Sequence, residues 1–99
     1  MPRVTLTAEA AADLIRLREF LREKNEDAAK RAAFLIAQEL RKLAVNPLAY
    51  KPIEGVPHQR ELIIAFGAAG YVVRYRYQLG GDVVVLRIWH QSENRFESL

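Results

Sequence analysis

The hydrophobic period of the sequence changes at Asn46-Pro47, and that change limits the folds open to the chain. Upstream, apolar residues recur every three or four positions. One series is Ala10, Leu14, Leu17 and Leu21, with Phe20 flanking it; the next is Ala29, Ala32, Ala33, Ile36, Leu40 and Leu43. This spacing puts one apolar stripe on each of two helices. Downstream the period falls to two. Tyr71, Val73, Tyr75 and Tyr77 alternate with Val72, Arg74, Arg76 and Gln78, which places the two sets on opposite faces of a strand. A helical half followed by a strand-rich half implies a helical hairpin laid against a sheet.

The boundaries follow from local chemistry. Residues 3–7 alternate and carry β-branched side chains, so they read as a short strand. Thr7 can cap the first helix, with Glu9 in its first turn, where a negative charge is favoured. Asn25-Glu26-Asp27 breaks the helical pattern and caps the second helix, and Pro47 ends it. Residues 47–58 hold three prolines and a glycine and form a restrained loop. Strands are expected over 59–66, 70–79 and 82–89, the last two joined by a tight turn at Gly80-Gly81. The strand over 82–89 is almost wholly apolar apart from Arg87, which predicts a central strand buried on both faces. Residues 90–99 read as a loose polar tail. The expected class is α+β, in the order β-α-α-β-β-β, with a helical hairpin packed on a mostly antiparallel twisted sheet. The 99 residues form a single domain. Phe34 and Leu35 lie off the second stripe and Ile15 off the first. Either the second helix is sandwiched between its neighbours, or these residues form a partner-binding patch.

Most catalytic chemistry lacks the residues it needs. The chain has no cysteine, which excludes disulfides, thiolate nucleophiles and cysteine metal sites. His58 and His90 are the only imidazoles and lack the spacing of a metal site, so no metal and no cofactor is expected. Gly67 and Gly70 do not make a phosphate loop, and Ser92 and Ser98 lie in the tail without a nucleophile-elbow motif. The N-terminus meets charged residues at once, and the longest uncharged apolar runs, 32–37 and 62–69, fall short of the roughly 20 residues that span a bilayer. A cytoplasmic protein with no membrane partner is expected. Arginines on the strands remain: Arg60, Arg74, Arg76 and Arg87. They are either cross-strand partners of carboxylates on a solvated face or a cationic surface that grips phosphate or an acidic protein. His90, at the end of the last strand, is either a proton carrier or a strand-end residue with a structural hydrogen bond.

The strand residues Arg60-Glu61-Leu62, then Tyr71-Val72-Val73-Arg74-Tyr75-Arg76-Tyr77, then Val83-Val84-Val85-Leu86-Arg87-Ile88-Trp89-His90, follow a helical half with Ala10, Asp13-Leu14, Leu17, Phe20-Leu21, Leu40, Leu43 and Pro47. In this order and spacing the chain resembles the RelE/ParE toxin superfamily of type II toxin–antitoxin systems, with the ParE-like branch favoured. The resemblance implies the same fold and a cognate antitoxin. The complex would be a heterotetramer or larger, in which the antitoxin rather than this chain reads DNA. ParE-like members poison DNA gyrase without cutting RNA; for that activity Arg87, Trp89, His90 and Arg95 are the expected target contacts. RelE-like members are ribosome-dependent messenger-RNA endonucleases; for that activity Arg60 and Arg74 would stabilise the transition state and His90 would act as acid or base. Ile15, Phe34 and Leu35 are the expected antitoxin contacts. A third possibility is a member that binds its partner but has lost toxicity. Net charge favours the gyrase branch. It is only +3, and it is spread evenly: nine basic against seven acidic residues in 1–50, six against five in 51–99. Binding RNA inside a ribosome favours far more positive charge.

Overall fold

The computed structural model describes residues 1–93. Thr7 opens the helical hairpin as expected: its hydroxyl accepts from the Ala10 N–H at 3.0 Å and begins helix α1, Ala8–Lys24. Asn25 caps α2, Glu26–Val45, through its side-chain oxygen and the Ala28 N–H. The strands are β1 (Val4–Leu6), β2 (Lys51–Pro52), β3 (Gln59–Phe66), β4 (Ala69–Arg76) and β5 (Val83–His90). They form one sheet in the order β1-β5-β4-β3-β2. β1 runs parallel to β5, and the other pairs are antiparallel. Among the described residues no helix is long and apolar enough to cross a membrane.

The helical stripes and one face of the sheet close a single core. Ala10, Leu17, Ala32, Ile36 and Leu43 meet Leu62, Ile64, Tyr71, Val73, Tyr75, Val83, Val85 and Ile88. Tyr75 is wholly buried, yet its hydroxyl is satisfied: it donates to the Pro47 carbonyl at 2.6 Å, tying the end of α2 to the centre of the sheet. Burial pushes its pKa up to about 12. Gly70 is required by close backbone approach, since a Cβ there would lie 2.1 Å from the Ile64 carbonyl oxygen.

Three expectations are corrected. A two-residue strand, β2, was not anticipated; it pairs Lys51 with Glu61 and Pro52 with Arg60 at the sheet edge, where a proline is tolerated. The connection after β4 is not a two-residue turn. β4 ends at Arg76 and β5 begins only at Val83, so residues 77–82 connect them, with the Gly81 N–H donating to the Gln78 carbonyl at 2.9 Å. Finally, β4 rather than β5 is the central strand, and β5 buries one face only. Val83, Val85 and Ile88 are buried, and the residues between them are half-buried. A bulge reconciles this with the continuous apolar run. Arg74 pairs with Arg87 and Tyr75 with Val85, so Leu86 is the extra residue and the inward series skips from Val85 to Ile88.

β5 outlasts β1, and its exposed edge is closed by side chains instead of a strand. The Thr7 N–H donates to Val85 O and the Thr7 hydroxyl to Leu86 O. Asp13 Oδ2 accepts from the Ile88 N–H at 2.8 Å, and Arg16 donates to the Ile88 carbonyl at 3.3 Å. Glu93 then accepts from the His90 N–H at 2.8 Å. Asp13 is only 2% exposed and also receives two hydrogen bonds from Arg87, at 2.8 and 3.0 Å, and one from Arg16. Burial alone would raise the pKa of its carboxyl. The donors Arg87, Ile88 N–H and Arg16 outweigh that and hold it below the usual carboxylate value.

Replacing Asp13 by Ala strands the Ile88 N–H and the Arg87 guanidinium, and is expected to cost about 3–5 kcal/mol in urea unfolding followed by Trp89 fluorescence. Because the folded pKa lies below the unfolded one, this stabilisation is complete above about pH 4 and is lost as pH falls through the folded value. The stability gap between wild type and Asp13→Asn therefore narrows on acidification; a gap that stays constant would contradict this account.

Candidate functional site

Two surfaces of the described residues bear on the expected contacts. The first is the sheet face turned away from the helices. Register sets Ile63, Val72 and Trp89 in one row across β3, β4 and β5, and Glu61, Arg74 and Arg87 in the next. Ile63 is 53% exposed. Arg74 donates to Glu61 Oε2 through Nε at 3.3 Å and Nη2 at 2.8 Å, and its guanidinium carbon lies 5.3 Å from the centre of the Trp89 ring. The result is an aromatic plate beside a positioned cation, a surface suited to stacking and to acidic groups.

The residues expected to cut RNA do not converge on this surface. Arg60 lies opposite Tyr75, on the helix-facing side, and its guanidinium donates to the Tyr50 carbonyl at 2.7 Å. His90 lies opposite Tyr71, and the two rings meet edge to face with centroids 5.3 Å apart. His90 lines a small pocket with Arg16, Leu17, Phe20, Ser92 and Glu93, and its Nδ1 accepts from the Ser92 N–H at 3.1 Å. Arg60 and His90 thus sit four residues apart along β4, roughly 13 Å, and Arg74 is on the other face.

The expected target contacts are divided in the same way. Trp89 is on the open face and His90 on the opposite one. Arg87 is held at the strand edge by Asp13, and Arg95 lies outside the described residues. Alternation along a strand separates Trp89 from His90, and no reading of adjacent residues as one patch survives it.

The second surface is an apolar groove where α1, α2 and β1 meet. Val4, Leu6, Leu14, Ala33, Ile36, Ala37 and Leu40 line about 420 Å³ of open space, with Arg18 and Arg41 at its rim. The expected antitoxin contacts are not among these lining residues. Ile15 and Phe34 are exposed at 65% and 63%, and Leu35 is partly buried against the core. The spacing of Ala33, Ala37 and Arg41, each four residues apart beside the core stripe, was the available signal for this wall of the groove.

The chain is similar to known proteins over nearly its whole length. Residues 4–95 match the family model described as the ParE toxin of the type II toxin–antitoxin system parDE. Toxin RelE1 of Caulobacter vibrioides is 38% identical over 92 residues, covering 93% of this chain and 96% of the relative. Toxin RelE3 of the same organism is 38% identical over 96 residues, covering 96% and 100%. A chain from the chromosomal ParDE toxin–antitoxin system of P. aeruginosa superposes with a TM-score of 0.71 at 25% identity, covering 91% of this chain and 96% of that one.

The contact between Arg74 and Trp89 predicts a measurable coupling. A double-mutant cycle with Arg74→Ala and Trp89→Leu is expected to give about 0.5–1 kcal/mol, and additivity of the two substitutions would show that the stacking contributes nothing.

Proposed function

Because the chain belongs to the ParE toxin family of type II toxin–antitoxin systems, we propose that it arrests growth by binding DNA gyrase, without cutting RNA, and that a cognate antitoxin neutralises it. The observation that carries this reading is the dispersal of Arg60, Arg74 and His90. Cleavage at a ribose 2′-OH needs a base, an acid and cations within hydrogen-bond reach of one phosphate. Here Arg74 is on one face with Glu61 as its partner, and Arg60 and His90 are on the other face, far apart. A protein-binding toxin needs no such convergence; it needs a surface. The open face, with Trp89 on β5 and Arg74 over its ring, is the target contact in this reading. Arg87 supports that face from its edge through Asp13.

The names of the two Caulobacter relatives favour a second reading, messenger-RNA cleavage of the RelE type. The readings separate cleanly in the laboratory. The purified chain is expected to inhibit gyrase supercoiling in vitro, and messages from induced cells are expected to be intact by primer extension. Codon-positioned cuts with unaffected gyrase would establish the nuclease instead. Normal growth on expression without antitoxin would indicate a member that has lost toxicity. On the gyrase reading, Trp89→Ala relieves growth arrest and lowers supercoiling inhibition at least about tenfold, as loss of an aromatic anchor does, while circular dichroism verifies the fold.

A further inference from the structure

β3 is covered by β2 over only part of its length. β2 pairs with Arg60 and Glu61, and the Ile53 N–H continues that side to the Gln59 carbonyl. The odd-numbered residues of β3 therefore turn their backbone groups toward β2, because antiparallel pairing alternates between the two neighbours. The Tyr77 N–H, which goes to the His58 carbonyl, fixes the even-numbered residues on the β4 side. Ile63 and Ala65 lie beyond the end of β2, so their N–H and C=O groups point away from the sheet and meet no partner among the described residues. Their side chains are exposed on the face turned away from the helices. The covered stretch carries Lys51 and Pro52, residue types that discourage a further strand. The uncovered stretch has neither, and no charged residue occurs from Leu62 to Val73.

We propose that this free part of β3 is a self-association surface, on which β3 of a second copy of this chain pairs antiparallel to it. A two-fold axis at Ile64 sets Ile63 opposite Ala65 of the second copy, and Ala65 opposite its Ile63, in pairs that exchange both N–H···O=C bonds. An axis at Ile63 would lose bonds, since the Glu61 backbone is already engaged by β2. β2 and the turn at Gly67-Ala68 bound the pairing at either end, and each copy has one such edge, so the assembly closes as a dimer. Two copies of a chain with net charge +3 repel, and an uncharged edge is where they approach without opposing like charges. An edge this short buries less than the roughly 1,000 Å² of a stable interface, so the dimer is weak. The axis stands perpendicular to the sheet. Both open faces therefore point the same way, and the two β5 strands that carry Trp89 lie about 24 Å apart, at about 4.8 Å per strand. The inference goes beyond the gyrase reading and does not depend on it; the dimer doubles the open face, whatever that face binds.

The test uses the full-length chain purified free of any partner. Sedimentation equilibrium between about 10 µM and about 1 mM is expected to show monomer and dimer in exchange. Amide hydrogen exchange at Ile63 and Ala65 is expected to slow at least about threefold across the same range. Ala65→Pro removes a donor that no bond within the chain uses, and Ala65→Lys puts a charge on the edge. Both variants, with their melting temperatures checked, are expected to stay monomeric at about 1 mM; if the proline variant does not fold, the lysine variant carries the test. A wild-type chain that stays monomeric throughout would overturn the proposal. A dimer undiminished in Ala65→Lys, or one in which both amides stay fast, lies elsewhere on the surface and overturns it too. Amides that slow only when an antitoxin or gyrase is added would give the edge to that partner instead of a second copy. Inhibition of supercoiling is read separately, so failure of the dimer and failure of the gyrase reading are distinct results.

Discussion

Asp13 joins the helical layer to the sheet where β5 runs on past β1 and has no strand beside it. Its carboxylate takes the Ile88 N–H, two hydrogen bonds from Arg87 and one from Arg16, while almost no part of it meets solvent. A buried carboxylate is costly unless it is hydrogen-bonded, and backbone groups at a strand edge that is buried under a helix need partners of their own. Each group here answers the need of the other. Thr7 and Arg16 extend the arrangement to Leu86 and to the Ile88 carbonyl, and Glu93 carries it past His90. The position of α1 along β5 is therefore set by directional bonds, and the hydrophobic core fills in beneath it.

That docking decides where the functional surfaces lie. With α1 fastened beside the far half of β5, β1 can cover only the near half, and the groove opens where α1 and α2 meet over β1. The helices cover one face of the sheet and leave the other bare, with Trp89 and Arg74 on it. In the proposed reading the target engages the bare face. Arg87 connects the two regions structurally, because the guanidinium that braces Asp13 belongs to the row beside Trp89. A substitution at Arg87 therefore acts on the fold before it acts on any target.

Charge has a similar lesson. The net +3 is small for a chain that must embrace RNA, and the structure adds what the sum conceals. Many of the basic residues are neutralised within the chain, by Asp13, Glu19, Glu39, Glu61 and Asp82. What matters for a partner is which cations stay available, and that is a property of the folded surface rather than of the sum.

The class of fold, the helix caps at Thr7 and Asn25, the helical stripes and the extent of β3 were all legible in the sequence, because each follows from contacts within a few residues. So was the family, through the order of its strand motifs. The candidate site was legible only in part. Alternation placed Arg74 on the face away from Tyr75, but adjacency in sequence grouped Trp89 with His90, and the strand put them on opposite faces. Periodicity also could not read β5, where an unbroken apolar run hides both a bulge and a half-exposed face. The sequence by itself determined the elements and their apolar faces, since those depend on local periods. The tertiary structure alone decided that Asp13 reaches Ile88, that Arg87 is a brace, and that Val4, Ala37 and Arg41 share a groove. Those relations join residues up to 75 positions apart, and no local preference can specify them.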